Sequence, residues 1–93
     1  MGNREHLFTK EAVVVNDLGL HARSAAKIAE LAKNAKSKVW LQKGPEKVDA
    51  KSILDMLTLG CEKGSTVQIL VEDAADMAIL NSIVTLVANG FGE

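Results

Sequence analysis

An α+β domain, with helices laid on one face of an antiparallel sheet, is predicted by the pattern of residues along this chain. Stretches rich in β-branched residues alternate with stretches whose apolar positions recur every three or four places. Turn clusters separate them, among them Asn16-Asp17-Leu18-Gly19, Gly44-Pro45 and Asn89-Gly90. The resulting order, β-α-β-β-α-β-α, shows no repeat, linker or low-complexity tract, so residues 1–93 read as a single domain. Periodicity alone does not separate this order from a ferredoxin-like arrangement.

The elements follow in turn. Phe8 to Val15 contains the run Ala12-Val13-Val14-Val15, which predicts a buried strand. From Ala22 to about Ala35 the period becomes helical, with Ala25, Ile28, Ala29, Ala32 and Ala35 on one stripe. That stripe is mostly alanine, so the helix is expected to lie close against a sheet. Lys27, Glu30 and Lys33 fall on the other side at i,i+3 spacing. Val39 to Gln42 predicts a short strand, Gly44-Pro45 a hairpin turn, and Glu46 to Asp49 the return strand. Alternation sets Trp40 on the opposite face from Val39 and Leu41.

A brief helix is expected from Ser52 to about Leu59, with Ser52 as its N-cap and Gly60 as its stop. Thr66 to Glu72 is a strand. A last helix runs from about Ala75 to Ala88, capped by Asp73, with Ile79, Ile83, Leu86 and Val87 facing the core.

Composition excludes several functions. A net charge of −1 and the absence of a basic stripe argue against a nucleic-acid partner. The longest apolar runs are too short to cross a membrane. Met1 to His6 has neither the apolar stretch of a signal peptide nor a hydroxyl residue at position six for N-myristoylation. The single cysteine, Cys61, has no internal partner, so a reducing cytoplasm is the expected compartment. His6 and Cys61 read as incidental surface and loop residues.

The chemistry concentrates in Gly19-Leu20-His21-Ala22-Arg23-Ser24-Ala25-Ala26, where a loop turns into a helix. Unpaired backbone amides at a helix N-terminus, with Arg23 beside them, suit an anion. A histidine is substantially unprotonated near neutral pH, so His21 offers a lone pair for in-line attack on phosphorus. Arg23 is expected to pair with the phosphoryl oxygens, and Ser24 to add a hydrogen-bond donor. No metal or other cofactor is required, since His6 and His21 make no ligand cluster.

A second segment, Lys51-Ser52-Ile53-Leu54-Asp55-Met56-Leu57-Thr58-Leu59-Gly60, follows the first by about thirty residues. Taken together, the two resemble the signatures of the HPr family, the histidine-containing phosphocarriers of the bacterial sugar phosphotransferase system, over nearly the whole chain. The resemblance implies an open-faced β-sandwich: a four-stranded antiparallel sheet with three helices on one face. It implies that enzyme I, charged by phosphoenolpyruvate, phosphorylates His21, which passes the group to an enzyme IIA domain in a sugar or nitrogen-linked branch. By the same resemblance His21 attacks through Nδ1, and a serine kinase/phosphorylase acts on Ser52 to slow transfer. Leu20, Ile53, Leu54 and Met56 become the partner-docking patch, with Leu54 and Met56 exposed, on a monomer.

The chain departs from the family pattern at Ser24, where proline is usual, and at Glu30 and Asp55, where relatives often carry basic residues. Proline would fix the first turn, whereas serine adds an N–H and a hydroxyl near the phosphoryl position. Two other readings stand beside the relay. One is an HPr-like regulatory module acting through phosphorylated Ser52 on a transcription regulator. The other is a ferredoxin-like ligand-binding domain without phosphorylation.

Overall fold

The computed structural model describes residues 7–93; the expectation for His6 lies outside them. Four strands, β1 (Phe8–Val13), β2 (Val39–Lys43), β3 (Glu46–Asp49) and β4 (Thr66–Val71), form one antiparallel sheet in the order β1-β4-β2-β3. Helices α1 (Ala22–Ala32), α2 (Ile53–Leu57) and α3 (Met77–Ala88) cover one face of it. This order puts β1 at an edge, whereas a ferredoxin-like sheet holds its first strand in the centre. The open-faced sandwich is the fold. Among the described residues, no helix is long and apolar enough to cross a membrane.

The inner face explains the hydrophobic pattern. Val39, Leu41, Val67, Ile69 and Val71 point inward against Ile28, Met56, Leu80, Ile83, Val87 and Phe91 in one core. The outer face carries no helix, and this corrects the reading of the valine run. Ala12 and Val14 are buried, but Val13 and Val15 alternate outward and are exposed. On the same open face, Trp40 donates from Nε1 to Glu72 Oε2 at 3.0 Å, with Lys47 Nζ 4.8 Å and Lys38 Nζ 5.7 Å from its ring centroid.

Several boundaries shift for physical reasons. The alanine stripe of α1 lets that helix approach α2 and α3 closely, and its Ala25, Ile28 and Ala32 join the sheet residues in one core. Glu30 pairs with Lys33 at 2.9 Å as expected, whereas Lys27 turns away to Phe91 O. Asp73 caps a separate 3-10 turn, Ala74–Asp76, by accepting from Ala75 N. In α3 the buried positions are Leu80, Ile83 and Val87, while Ile79 and Leu86 are only half-buried. Cys61 lies in a loop as expected, but it is buried beneath the segment that leads to His21, and burial pushes its thiol pKa up.

Asp76 fastens the α1–β2 connection to the start of α3. Its carboxylate accepts from Lys36 N at 2.8 Å and from Ser37 N and Ser37 Oγ at 3.0 Å each. Burial alone would raise its pKa, but these hydrogen bonds outweigh it and hold the carboxyl below the usual range. The folded state therefore binds fewer protons there than the unfolded chain. That contribution to stability is complete above the unfolded pKa and is lost as pH falls through the folded one.

Candidate phosphoryl site

The loop between β1 and α1 is shaped by Gly19. Its φ is +68°, and a Cβ added there would lie 2.5 Å from Cys61 O, so a side chain is excluded by both backbone angle and contact. Gly19 N bonds back to Asn16 O at 3.1 Å, and Leu20 N reaches Cys61 O at 2.8 Å. The next residue, His21, is then delivered in extended backbone (φ −121°, ψ −178°) as the N-cap of α1.

The ring is neither buried nor turned away from the helix. Its side chain is 28% exposed, and Nδ1 accepts from Arg23 N at 3.3 Å. The first intrahelical bond is Ala25 N to His21 O at 2.8 Å, so the amides of Ala22, Arg23 and Ser24 precede the helical ladder. No acidic residue stands in this first turn to neutralise it. Arg23 is exposed, and a cleft bordered by Leu18, Arg23, Lys27 and Glu93 opens along the ring.

Ser24 corrects one expectation. Its hydroxyl does not face the cleft. It is fully buried, accepts from His21 N at 2.8 Å, and is within donating distance of His21 O (3.1 Å) and Gly19 O (3.3 Å). This is one half of a capping box, so serine restrains the turn by hydrogen bonding where proline would restrain it by its ring.

The other ring nitrogen, Nε2, lies 2.6 Å from Glu93 Oε2. Hydrogen bonds from His21 and Asn16 hold the Glu93 carboxyl below the usual carboxylate range. Sequence reasoning did not include Glu93, Asn16 or Lys27 in the site. The contact from His21 to Glu93 spans 72 positions, with no local pattern to announce it.

At the second segment, Ser52 caps α2 by accepting from Asp55 N at 3.2 Å. Leu54 is 76% exposed and Ile53 lies at the edge of exposure. Met56 is fully buried instead. With only five residues, α2 turns Met56 fully into the core, and Leu57 packs half-buried against it. Leu20 is half-buried, and Leu18, which sequence reasoning passed over, is 72% exposed beside the cleft.

The family model for the PTS HPr component phosphorylation site matches residues 8–89. The chain belongs to the HPr family. It is 36% identical to the phosphocarrier protein HPr of Cupriavidus necator over 87 residues, which cover 94% of this chain and 98% of that protein. It is 34% identical to the phosphocarrier protein NPr of Shewanella violacea, covering 90% of this chain and 92% of that one. Among solved structures, an HPr from Thermoanaerobacter tengcongensis superposes with a TM-score of 0.85 at 32% identity, covering 92% of this chain and 97% of that one. The HPr of Bacillus anthracis gives 0.80 at 27%, covering 87% and 96% respectively. The fold and the family membership in the phosphotransferase system are thus established together.

Proposed function

We propose that His21 is the phosphoryl carrier of this HPr-family chain, accepting the group from phosphorylated enzyme I and giving it to an enzyme IIA domain. One observation carries the reading. A partly exposed ring caps a helix whose first turn carries no acidic residue, with Nδ1 on the side of the first-turn amides. A phosphoryl group on Nδ1 takes up the lone pair that now accepts from the Arg23 amide. That amide, its neighbours and the Arg23 guanidinium then meet the three oxygens. The transfer is positioning and electrostatics, with the remaining groups supplied by the partner.

On uptake the Nδ1 lone pair forms the new N–P bond as the donor's bond to phosphorus breaks and leaves its electron pair on the donor. On delivery the acceptor's lone pair forms the new bond and the electron pair of the breaking N–P bond returns to Nδ1. Leu18, Leu20, Ile53 and Leu54 are the apolar contacts offered to both partners, rimmed by charge. Ser52 is a cap first. A kinase acting on its hydroxyl would set a dianion in the same first turn as Asp55, which supports the relay over a module working mainly through that serine.

Incubation with enzyme I and labelled phosphoenolpyruvate tests this. Acid-labile, base-stable label that disappears in His21→Ala is expected. Label that persists in His21→Ala overturns the assignment. Label that needs ATP and a serine kinase, and is lost in Ser52→Ala, replaces it with the regulatory module. No label under either condition favours a binding domain without phosphorylation.

A further inference from the structure

Along α1, Lys27 stands one turn beyond Arg23 on the same side, and spacing alone pairs it with Glu30. The structure breaks that pairing. Glu30 takes Lys33, and the half-buried stem of Lys27 runs instead to the border of the cleft that holds His21 and Arg23. Helical side chains lean toward the N-terminus, which is the direction of the histidine.

There Lys27 Nζ donates to Phe91 O at 2.7 Å. That carbonyl is firmly placed. The Phe91 side chain is buried in the core, and its backbone (φ 60°, ψ 19°) is the only non-glycine one with positive φ among the described residues. An ammonium has three N–H donors, so this anchor holds one and leaves the others for a guest in the cleft. Among the described residues Lys33, Lys38 and Lys63 each pair with a carboxylate, whereas Lys27 pairs with none.

The charge around the ring gives such a cation its use. Arg23, Lys27 and Glu93 are the charged side chains that border the cleft. Glu93 is ionised at neutral pH, because hydrogen bonds from His21 and Asn16 hold its carboxyl below the usual range. Arg23 alone only cancels it, and a phosphoryl group with about two negative charges would then meet no net attraction from these side chains. Lys27 makes the border net positive. The two cations also repel each other at i,i+4 spacing near the positive end of a helix, and an anion between them relieves this.

We infer that Lys27 is a second cationic contact for the phosphoryl group on His21, stabilising the loaded chain over the free one. The inference rests on the carrier reading above. As the Nδ1 lone pair bonds to phosphorus and the donor's bond breaks with its electron pair left on the donor, Lys27 donates to a phosphoryl oxygen and keeps its proton. On delivery that hydrogen bond goes with the group, and the electron pair of the N–P bond returns to Nδ1.

The loading equilibrium tests this. At a fixed ratio of phosphoenolpyruvate to pyruvate, the ratio of loaded to free chain does not depend on how well enzyme I docks. Full-length wild type is compared with Lys27→Gln, which keeps an N–H donor for Phe91 O, and Lys27→Arg, which keeps the charge. Thermal unfolding checks that each folds. The loaded-to-free ratio should fall about 3–10-fold in Lys27→Gln and return to within about twofold of wild type in Lys27→Arg. In wild type carrying 15N-labelled lysine, the Lys27 ammonium signal should shift on loading and its proton exchange should slow, a readout that needs no variant.

An unchanged ratio in Lys27→Gln overturns the proposal, even with a higher KM for enzyme I, which would make Lys27 a docking residue. An ammonium signal in wild type that ignores loading overturns it as well. A ratio that falls equally in both variants replaces it with a purely structural role. The carrier reading fails separately: if wild type takes no label on His21, that reading falls and this inference with it. A labelled wild type matched by Lys27→Gln removes only the role of Lys27.

Discussion

Helices α1 and α2 both begin on a residue in extended backbone whose side chain accepts from a first-turn amide, yet the two ends do different work. At α2 the Ser52 hydroxyl meets Asp55 N, and Asp55 itself places a carboxylate in the first turn, so the positive end of the dipole already has its counter-charge. At α1 the cap is an imidazole at the long distance of 3.3 Å, no acid stands in the first turn, and Arg23 occupies the place where the dipole least favours a cation. A helix end satisfied from within is a stop. One left partly unsatisfied, with an imidazole as its cap, is what the proposed carrier role requires of a seat for a transferable anion.

The sharpest way to break this contrast is to make the first end like the second. In His21→Ser a stronger capping residue replaces the ring, so stability should stay within about 0.5 kcal/mol. Label uptake from enzyme I should fall below detection. Uptake that survives in this variant would mean the ring is only a cap. Next in size, Ser24→Ala removes the buried acceptor of His21 N and should cost about 1–2 kcal/mol in denaturant unfolding, with uptake retained. Ser24→Pro, the residue usual in the family, should keep transfer with a modest change in rate; complete loss would show that the hydroxyl does more than hold the turn.

Ser52→Ala should cost about 1 kcal/mol and leave uptake on His21 unchanged, since the second end is a stop only. The smallest effect is in titration. Hydrogen bonds from His21 and Asn16 lower the pKa of Glu93, so the bond stabilises the fold above the unfolded carboxyl value, about 4.3. It is lost as pH falls through the folded value. In His21→Ala the Glu93 carboxyl carbon should titrate at higher pH than in wild type, read by 13C NMR.

Much of this was open to reading in the residues themselves. The four strands and three α-helices follow the order that period and turn residues predict, with ends shifted by a few residues, because each has a local signature: Gly44-Pro45 between β2 and β3, Ser52 before α2, and the three- and four-residue spacing of α1. The misses have physical causes. Val13 and Val15 were read as buried because a run of valines does not say that one face of the sheet lacks a cover. Met56 reads as exposed from sequence because five residues carry too little period to fix the phase of a helix.

In α3, apolar residues ring most of the helix, so Ile79 and Leu80 were exchangeable by pattern and only packing chose Leu80. His21, Arg23 and Ser24 were found because they are neighbours in the chain. Glu93 and Asn16 were not, because the contacts that join them to the ring and to each other span 72 and 77 positions. No composition or spacing rule spans that interval.

Trp40 has a practical consequence. The chain has one tryptophan and no tyrosine, and that indole lies on the bare side of the sheet, away from the helices and from His21. Its emission should therefore report whether the sheet is intact while staying blind to whether the histidine is loaded. An intrinsic optical probe thus separates variants that have lost their chemistry from variants that have lost their shape, with no label added to either.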